Sequence, residues 1–259
     1  MAQLELAAPV VARLPSALHR QQLVRLSAAG WTRVLEAAWD ADARACLELW
    51  AGRGLPLVVT RQPPAQDDAL ATGLPAPSRF WRRRLAVQVA PRDILFLDEF
   101  PPAAAVTRLL PRAAAMPWRA LLAMLAAADC APRVYGGYGW QALTRLAYVH
   151  AASDIDLLLP VDSAAQADAV ARVLALQRGS DLAFCPPSSE AGGTHASPEG
   201  RRQGLTPWNG PRLDGELLFP DGAAIAWREW LAHREGRAAQ VLVKRLHSVA
   251  LETPAAGLA

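Results

Sequence analysis

The stretch VYGGYGWQALTRLAYVHAASDIDLLLP, residues 134–160, decides the fold of this chain. Near its end, Asp154 and Asp156 stand two positions apart, immediately before a run of leucines. Residues two apart in a strand face the same way, so the two carboxylates would lie side by side while Ile155 points into the core. The leucine run is typical of a strand covered on both faces, which predicts a buried strand with acids at its entrance.

Two carboxylates this close repel each other unless a cation lies between them. Oxygen ligands of this kind suit magnesium or manganese. Asp154 and Asp156 therefore indicate a divalent metal site. The alternative is that this frequent tripeptide only caps a strand end or decorates a solvated face.

A glycine pair, Gly136 and Gly137, precedes the segment YGWQALT and predicts a tight turn at the start of a helix. Backbone amides at such a turn can approach a phosphate closely and meet it with the positive end of the helix dipole. Trp140 and Gln141 are expected to pack behind the turn. Glycine pairs also occur in plain turns, so this pair indicates a phosphate site only in combination with the acid pair.

A later segment, RLDGELLF, puts Asp214 and Glu216 on one face of another predicted strand, which Leu217 and Phe219 anchor. One of these acids would complete a ring of three carboxylates around two metal ions, and the other would lie at the surface or behind the ligands. Three basic residues are weaker candidates for a phosphate contact, each with a surface role as the alternative: Lys244, Arg145 and Arg212.

The order of glycine turn, helix, acid pair on a strand and later acid on another strand resembles the nucleotidyltransferase superfamily that includes DNA polymerase beta. Residues 134–159, together with DGELLFPDGAAIAWREW and VLVK, more narrowly resemble the malonate decarboxylase holo-acyl-carrier-protein synthases, also called phosphoribosyl-dephospho-CoA transferases. The likeness extends from LHRQQLVRL near the start to VLVKRLHSVAL near the end.

The resemblance implies transfer of the prosthetic group from 2'-(5''-triphosphoribosyl)-3'-dephospho-CoA to a serine of the malonate decarboxylase acyl-carrier subunit, with release of pyrophosphate. It implies that Asp154 and Asp156 bind Mg²⁺ or Mn²⁺, with Asp214 or Glu216 as third ligand or as the base. We expect Asp214 to be the third ligand.

The same resemblance implies that Gly136 and Gly137 cradle the β- and γ-phosphates, with Lys244 as a further substrate contact. The superfamily usually has serine where this chain has Gly137, and losing one hydrogen bond to a charged group costs about 1.5–3 kcal/mol. Two alternatives remain: a nucleotidyltransferase with another acceptor, or a non-catalytic assembly factor that binds the carrier or nucleotide.

We predict an α+β protein with two domains. Residues 1–104 would form a small α+β module, loose over its first twenty or so residues, and residues 105–259 a nucleotidyltransferase-like catalytic domain with a mixed sheet and flanking helices. In the module, helical spacing runs from Leu23 to Ala51, and strands are expected within residues 54–61 and 83–97.

In the second domain, helices are expected over residues 116–128 and after an N-cap at Asp162 or Ser163. Residues 186–204 read as a long loop, and Asp221 with Gly222 suits a two-residue hairpin turn.

Composition and charge indicate which kinds of partner the protein binds. Half of the 259 residues are apolar (52%), the net charge is +3, and basic residues are dispersed except in RFWRRR, residues 79–84. General nucleic-acid binding is therefore not indicated, whereas this cluster could meet phosphate or an acidic carrier, or be a solvated face.

Three separated cysteines, Cys46, Cys130 and Cys185, suggest reduced thiols rather than zinc ligands or a disulfide framework. The first residues lack signal-peptide features and no segment has membrane-spanning length, so we expect a cytoplasmic protein without a membrane partner.

Overall fold

The structure, a computed structural model, describes residues 18–63, 69–178 and 208–254. These residues form two β-sheets, one of five strands and one of six. The predicted α+β class is confirmed, as is the mixed sheet of the second half. The expected boundary near residue 104 stays a prediction.

The first sheet is antiparallel, with strand order β4-β3-β2-β1-β5. Its elements are β1 (Leu23–Leu26), α1 (Ala28–Glu36), α2 (Ala41–Gly52), β2 (Leu57–Val59), β3 (Leu70–Pro75), β4 (Arg84–Val89) and β5 (Ile94–Asp98).

The helix predicted from Leu23 to Ala51 is wrong at its start and in its middle. Leu23–Leu26 is a strand between β2 and β5, because a short run that is buried except at Arg25 fits either helix or strand spacing and the sheet decides it. The rest divides into α1 and α2, whose first turns are capped by the side chains of Ser27 and Asp40. Strand β3 was not predicted.

The second sheet has the order β11-β10-β9-β8-β7-β6, and β7 and β8 are its parallel pair. Its elements are α3 (Ala115–Ala127), β6 (Arg133–Tyr135), α4 (Gly136–Thr144), β7 (Ile155–Pro160), α5 (Ala164–Arg178), β8 (Leu213–Leu218), β9 (Ala224–Ala226), α6 (Trp227–Arg234), β10 (Val241–Lys244) and β11 (Val249–Glu252).

The main core lies on one face of the second sheet. Leu157, Leu159 and Leu217 are fully buried there, packed with Trp118 of α3 and Trp230 of α6. Each such side chain contributes about 1.5–3 kcal/mol by leaving water. Because side chains alternate along a strand, the polar residues of β7 and β8 face the other way.

Individual hydrogen bonds decide which of the predicted caps and turns form in this half of the chain. Ser163, not Asp162, caps α5, since its Oγ accepts a hydrogen bond from the Gln166 amide. The hairpin between β8 and β9 is confirmed, but the two-residue turn is wrong. Phe219 O accepts from the Gly222 amide, and Gly222 has φ +78°, which makes a three-residue loop with the glycine in the left-handed position.

Trp140 of α4 joins the two sheets. It is 4% exposed and packs against Phe100, with ring centroids 5.4 Å apart, and against Trp50 of α2, at 6.3 Å. It therefore belongs to the core of the first sheet although its helix belongs to the second. Two hydrogen bonds reinforce the junction, from Tyr148 Oη to Pro75 O and from Arg53 to Thr144 O.

Two of the predicted thiols, Cys46 and Cys130, are buried and free, and burial raises their pKa to about 11 and about 12. Cys185 and the predicted loop at residues 186–204 lie outside the described residues. In the part of the chain that the structure describes, we find no helix with the length and apolar character needed to traverse a bilayer.

Candidate active site

The parallel pairing of β7 and β8 brings the predicted acids together. Asp156 lies directly opposite Asp214 in the register of the two strands. Both side chains point away from the main core, because their neighbours Leu157 and Leu213 belong to it. The sheet thus presents a pair of carboxylates, one from each strand, on its open face.

Asp154 lies just before β7 and lines the same cleft as Asp156. Arg212, just before β8, reaches both strands. Its Nε lies 3.4 Å from Asp154 Oδ2, and its terminal nitrogen lies 3.0 Å from Asp214 Oδ2. Arg228 of α6 also contacts Asp214, at 2.9 Å. The Arg212 side chain is 64% exposed, so it can leave the carboxylates at little cost.

Glu216 is nearly buried and forms an ion pair with Lys244 of β10, at 2.5 Å. The sequence suggested Lys244 as a phosphate contact, and in the structure its ammonium group contacts this carboxylate instead. Glu216 is therefore engaged by Lys244 rather than free to contact a ligand. Asp214, which lies beside Asp156, is the better placed of the two late acids.

Asp156 has no hydrogen-bond or ion-pair partner among the described residues. Burial and the negative charges of Asp214, Asp154 and Glu216 together raise its pKa to about 6. A carboxylate surrounded by like charges is stabilised by a cation placed among them. The hard oxygen donors of Asp154, Asp156 and Asp214 fit magnesium or manganese in kind.

The predicted ring of three carboxylates is not assembled in this structure. Within residues 18–63, 69–178 and 208–254, no group of three or more His, Cys, Asp and Glu side chains is arranged to hold a metal ion. The physical reason is that three of the acids contact a basic side chain: Asp154 and Asp214 contact Arg212, and Glu216 contacts Lys244.

The glycine turn lies against Asp156. Gly136 has φ +59°, in the left-handed region, and a Cβ at this position would overlap Oδ2 of Asp156. Gly137 is different, since a Cβ there would lie 3.9 Å from Tyr148 O and 4.0 Å from Ser153 Oγ. The first glycine is required by the fold, whereas the second leaves room for a side chain.

The loop between α4 and β7 is held in place by Gln141, which the sequence assigned to packing. Its Oε1 accepts hydrogen bonds from the amides of Tyr148 and Val149, at 3.0 Å and 2.9 Å. Ser153 Oγ accepts from the His150 amide, at 2.9 Å. The chain therefore enters β7 along a fixed path, which sets the position of Asp154.

Residues of the first half of the chain also border the site. The sequence offered the basic cluster at residues 79–84 as a phosphate or carrier contact but did not place it beside the carboxylates. A cavity of about 530 Å³ lies between the sheets, bordered by Leu74, Arg84 and Trp140 as well as by Gly136 and Asp156. A second cavity of about 380 Å³ adjoins it. That cavity is lined by Arg82, Arg84, Gly137, Asp154 and Asp156, among others.

Tyr135 is another residue that the sequence did not single out. It pairs with Asp156 across β6 and β7 and lines the larger cavity. Burial, together with the charges of Glu216, Asp156 and Asp214, raises the pKa of its hydroxyl far above the ordinary value. Tyr135 therefore stays protonated and can donate a hydrogen bond. Its position immediately before the glycine pair is the signal that was available.

The remaining candidates lie elsewhere. Arg145 borders a different cleft, with Arg108, and is not brought to the carboxylates. Trp227 and Trp230 are core residues, each 1% exposed.

Comparison with known proteins places this chain in a family. The model of the phosphoribosyl-dephospho-CoA transferase MdcG N-terminal domain matches residues 19–98, and that of the C-terminal domain matches residues 102–186 and 181–255. The chain belongs to the phosphoribosyl-dephospho-CoA transferase family. It is therefore an enzyme, as the sequence predicted.

Curated relatives of this transferase family cover most of the chain. A phosphoribosyl-dephospho-CoA transferase of Xanthomonas euvesicatoria pv. vesicatoria is 36% identical over 83% of this chain and 87% of its own length. Another, from Xanthomonas campestris pv. campestris, is 36% identical over 80% and 83%. That of Bradyrhizobium diazoefficiens is 31% identical over 90% and 88%. No solved structure matches the chain.

The two glycines of the transferase should respond differently to alanine. We expect Gly136→Ala to displace Asp156 and to reduce turnover at least about a hundredfold, because moving a catalytic group by about 1 Å can cost that much. Gly137→Ala, the matched control, has room for its methyl group and should keep the native melting temperature and most of the turnover. Equal losses in both variants would contradict this account of the turn.

The raised pKa of Asp156 predicts a pH-dependent stability. The folded state holds the Asp156 proton more tightly than the unfolded state, so this contribution to stability is present below about pH 4 and is lost as the pH rises through about 6. Asp156→Asn should therefore raise the melting temperature at pH 7.5, in EDTA, by several degrees and hardly change it at pH 4. Asp162→Asn, an exposed acid at the other end of β7, is the control. A gain independent of pH would refute the assignment.

Proposed function

We propose that this enzyme transfers the phosphoribosyl-dephospho-CoA group from 2'-(5''-triphosphoribosyl)-3'-dephospho-CoA to a serine of the malonate decarboxylase acyl-carrier subunit, releasing pyrophosphate. The observation that carries the proposal is the position of Asp156, which lies beside Asp214 in the strand register, lines one cleft with Asp154, and lies against the Gly136 turn. Family membership over both halves of the chain supports the same activity.

The fold of the catalytic half is proposed to be nucleotidyltransferase-like. Its support is the order of elements around the site: a glycine turn opens α4, the acid pair begins β7, and the third acid lies on the adjacent strand β8. Function depends on this arrangement of groups more than on the fold as a whole.

In this proposal, Asp154, Asp156 and Asp214 would hold Mg²⁺ or Mn²⁺, for which Arg212 would have to release the two carboxylates that it contacts. The ions would supply electrostatic stabilisation for the charge that develops on the phosphoryl and leaving oxygens. Glu216 keeps its contact with Lys244 and fixes β8 against β10.

The chain's own groups then have defined tasks. The amides of Gly136 and Gly137, at the start of α4, receive the β- and γ-phosphates. The serine oxygen of the carrier forms a bond to the α-phosphorus, the bond from that phosphorus to the bridging oxygen of the β-phosphate breaks, and pyrophosphate leaves. Asp214 accepts the serine proton. Tyr135 donates a hydrogen bond to the bound substrate.

The acceptor is proposed to approach from the side of residues 79–84. Trp81 is 79% exposed there, which makes it a suitable apolar anchor within a basic surface. Carrier proteins of this kind are expected to be acidic, so opposite charge would speed their encounter.

The first test is the mass of purified malonate decarboxylase apo-carrier after incubation with the enzyme, triphosphoribosyl-dephospho-CoA and magnesium. We expect a mass increase equal to the phosphoribosyl-dephospho-CoA group and one pyrophosphate released per carrier. Asp154→Ala/Asp156→Ala should abolish the increase, as should EDTA.

An Asp162→Ala variant controls for the loss of an acid just beyond the other end of β7 and should remain active. No mass change with folded enzyme and competent substrate would exclude the carrier as acceptor. Nucleotide transfer to another acceptor would then support the first alternative, and magnesium-dependent nucleotide binding without turnover the second.

Salt provides a separate test of the carrier's approach. If the basic surface steers the carrier, its apparent KM should rise severalfold between low salt and about 0.5 M NaCl, because exposed charges are screened. The KM for carrier would be measured at saturating nucleotide, with KCl compared as a control for ion identity. A KM that does not change with salt would contradict steering.

A further inference from the structure

The four arginines of residues 79–84 do not share one role. Arg83 donates two hydrogen bonds to Asp40, at 2.8 Å and 2.7 Å, and so caps α2 indirectly. Arg79 lies over the ring of Phe80, 4.8 Å from its centroid. These two guanidinium groups have partners within their own module, which leaves Arg82 and Arg84 to be explained.

Arg82 and Arg84 line the 380 Å³ cavity together with Gly137, Asp154 and Asp156. Arg84 also borders the larger cavity beside Gly136. Among the described residues, neither side chain has a hydrogen-bond or ion-pair partner. Two unpaired guanidinium groups in a cleft are expected to bind an anion.

The backbone that carries Arg82 is strained. Trp81 and Arg82 have φ +59° and +53°, so two consecutive residues other than glycine adopt the left-handed conformation. Such conformations are unfavourable for residues other than glycine and tend to persist at functional sites, where the surroundings enforce them. On either side the chain is fixed, by a hydrogen bond from the Trp81 amide to Ser78 O and by the pairing of Arg84 with Pro75 in the sheet.

Charge balance in the cleft favours such groups in addition to the proposed metal ions. A substrate with several phosphates would lie beside Asp154 and Asp156, and the start of a helix supplies only about half a positive charge. Arg212 and Arg228 contact Asp214 on the second sheet. Arg84 begins β4 of the first sheet and Arg82 lies in the turn just before it, on the opposite wall of the cleft.

We propose that Arg82 and Arg84 bind the polyphosphate end of the nucleotide substrate, opposite Gly136 and Gly137. The inference rests on the proposed function for the identity of the nucleotide, but the polyphosphate site itself rests on the geometry of the cleft. The N-terminal module is thereby a wall of the active site, and the basic cluster divides into a phosphate-binding side and an outer side bearing Trp81.

Calorimetric titration with inorganic pyrophosphate, in the presence of Mg²⁺, tests the site without turnover. Arg82→Ala and Arg84→Ala should each weaken pyrophosphate binding by about tenfold to a hundredfold, which is the worth of a charge-assisted contact. The matched control is Arg92→Ala, which removes an exposed arginine of the same module away from the cleft. It should bind like the native enzyme.

Steady-state kinetics separate this role from carrier docking. In both variants the KM for triphosphoribosyl-dephospho-CoA should rise at least as much as the pyrophosphate Kd, while the KM for carrier stays within about twofold of the native value. A rise in the carrier KM alone would overturn the proposal and assign the pair to the carrier. Unchanged pyrophosphate binding in both variants, or none by the native enzyme, would also overturn it.

If the proposed function is wrong but the polyphosphate site is real, the results would differ from those above. In that case the native enzyme would not modify the carrier, yet pyrophosphate would bind and Arg82→Ala would weaken it. Arg82→Lys distinguishes charge from fork geometry, since it should recover part of the affinity but not all of it.

Discussion

The packing of Trp140 is the interaction on which the rest of the site depends. Its helix begins at the glycine turn of the second sheet, but its ring is buried with Phe100 and Trp50 in the core of the first. Large aromatic side chains dominate the energetics of such junctions. Because one short helix serves both cores, the turn, the carboxylates and the opposite wall keep fixed distances from one another.

Local patterns in the sequence were enough to predict the carboxylate strand, the glycine turn and the helix between them. Alternation, an apolar run and a glycine pair are each readable within a few residues. Prediction failed where the sheet overrode local preference. Leu23–Leu26 fits helical spacing but is held as a central strand, and Leu70–Pro75 contains Gly73 and Pro75, which disfavour strands, yet pairs along its whole length with β4.

The site followed the same division. Spacing singled out Asp154 and Asp156 and left Asp214 and Glu216 as alternatives for the third acid, and the register of β7 and β8 places Asp214 beside Asp156. No local pattern shows that Lys244 contacts Glu216, or that Arg82 and Arg84 reach the cleft from the other sheet. Such contacts arise from tertiary packing between distant parts of the chain, and a single sequence carries no direct signal for them.

The parallel pairing of β7 and β8 also has a consequence for how the enzyme is made. A parallel pair requires a long crossover, and here it runs from residue 161 to residue 212. Contacts between residues so distant in sequence close a large loop and form slowly. During synthesis, the first sheet, the glycine turn and the first acid pair leave the ribosome well before Asp214 does. If these acids act as proposed, the enzyme gains its complete set of them only near the end of translation, and an incomplete chain would not react with the nucleotide.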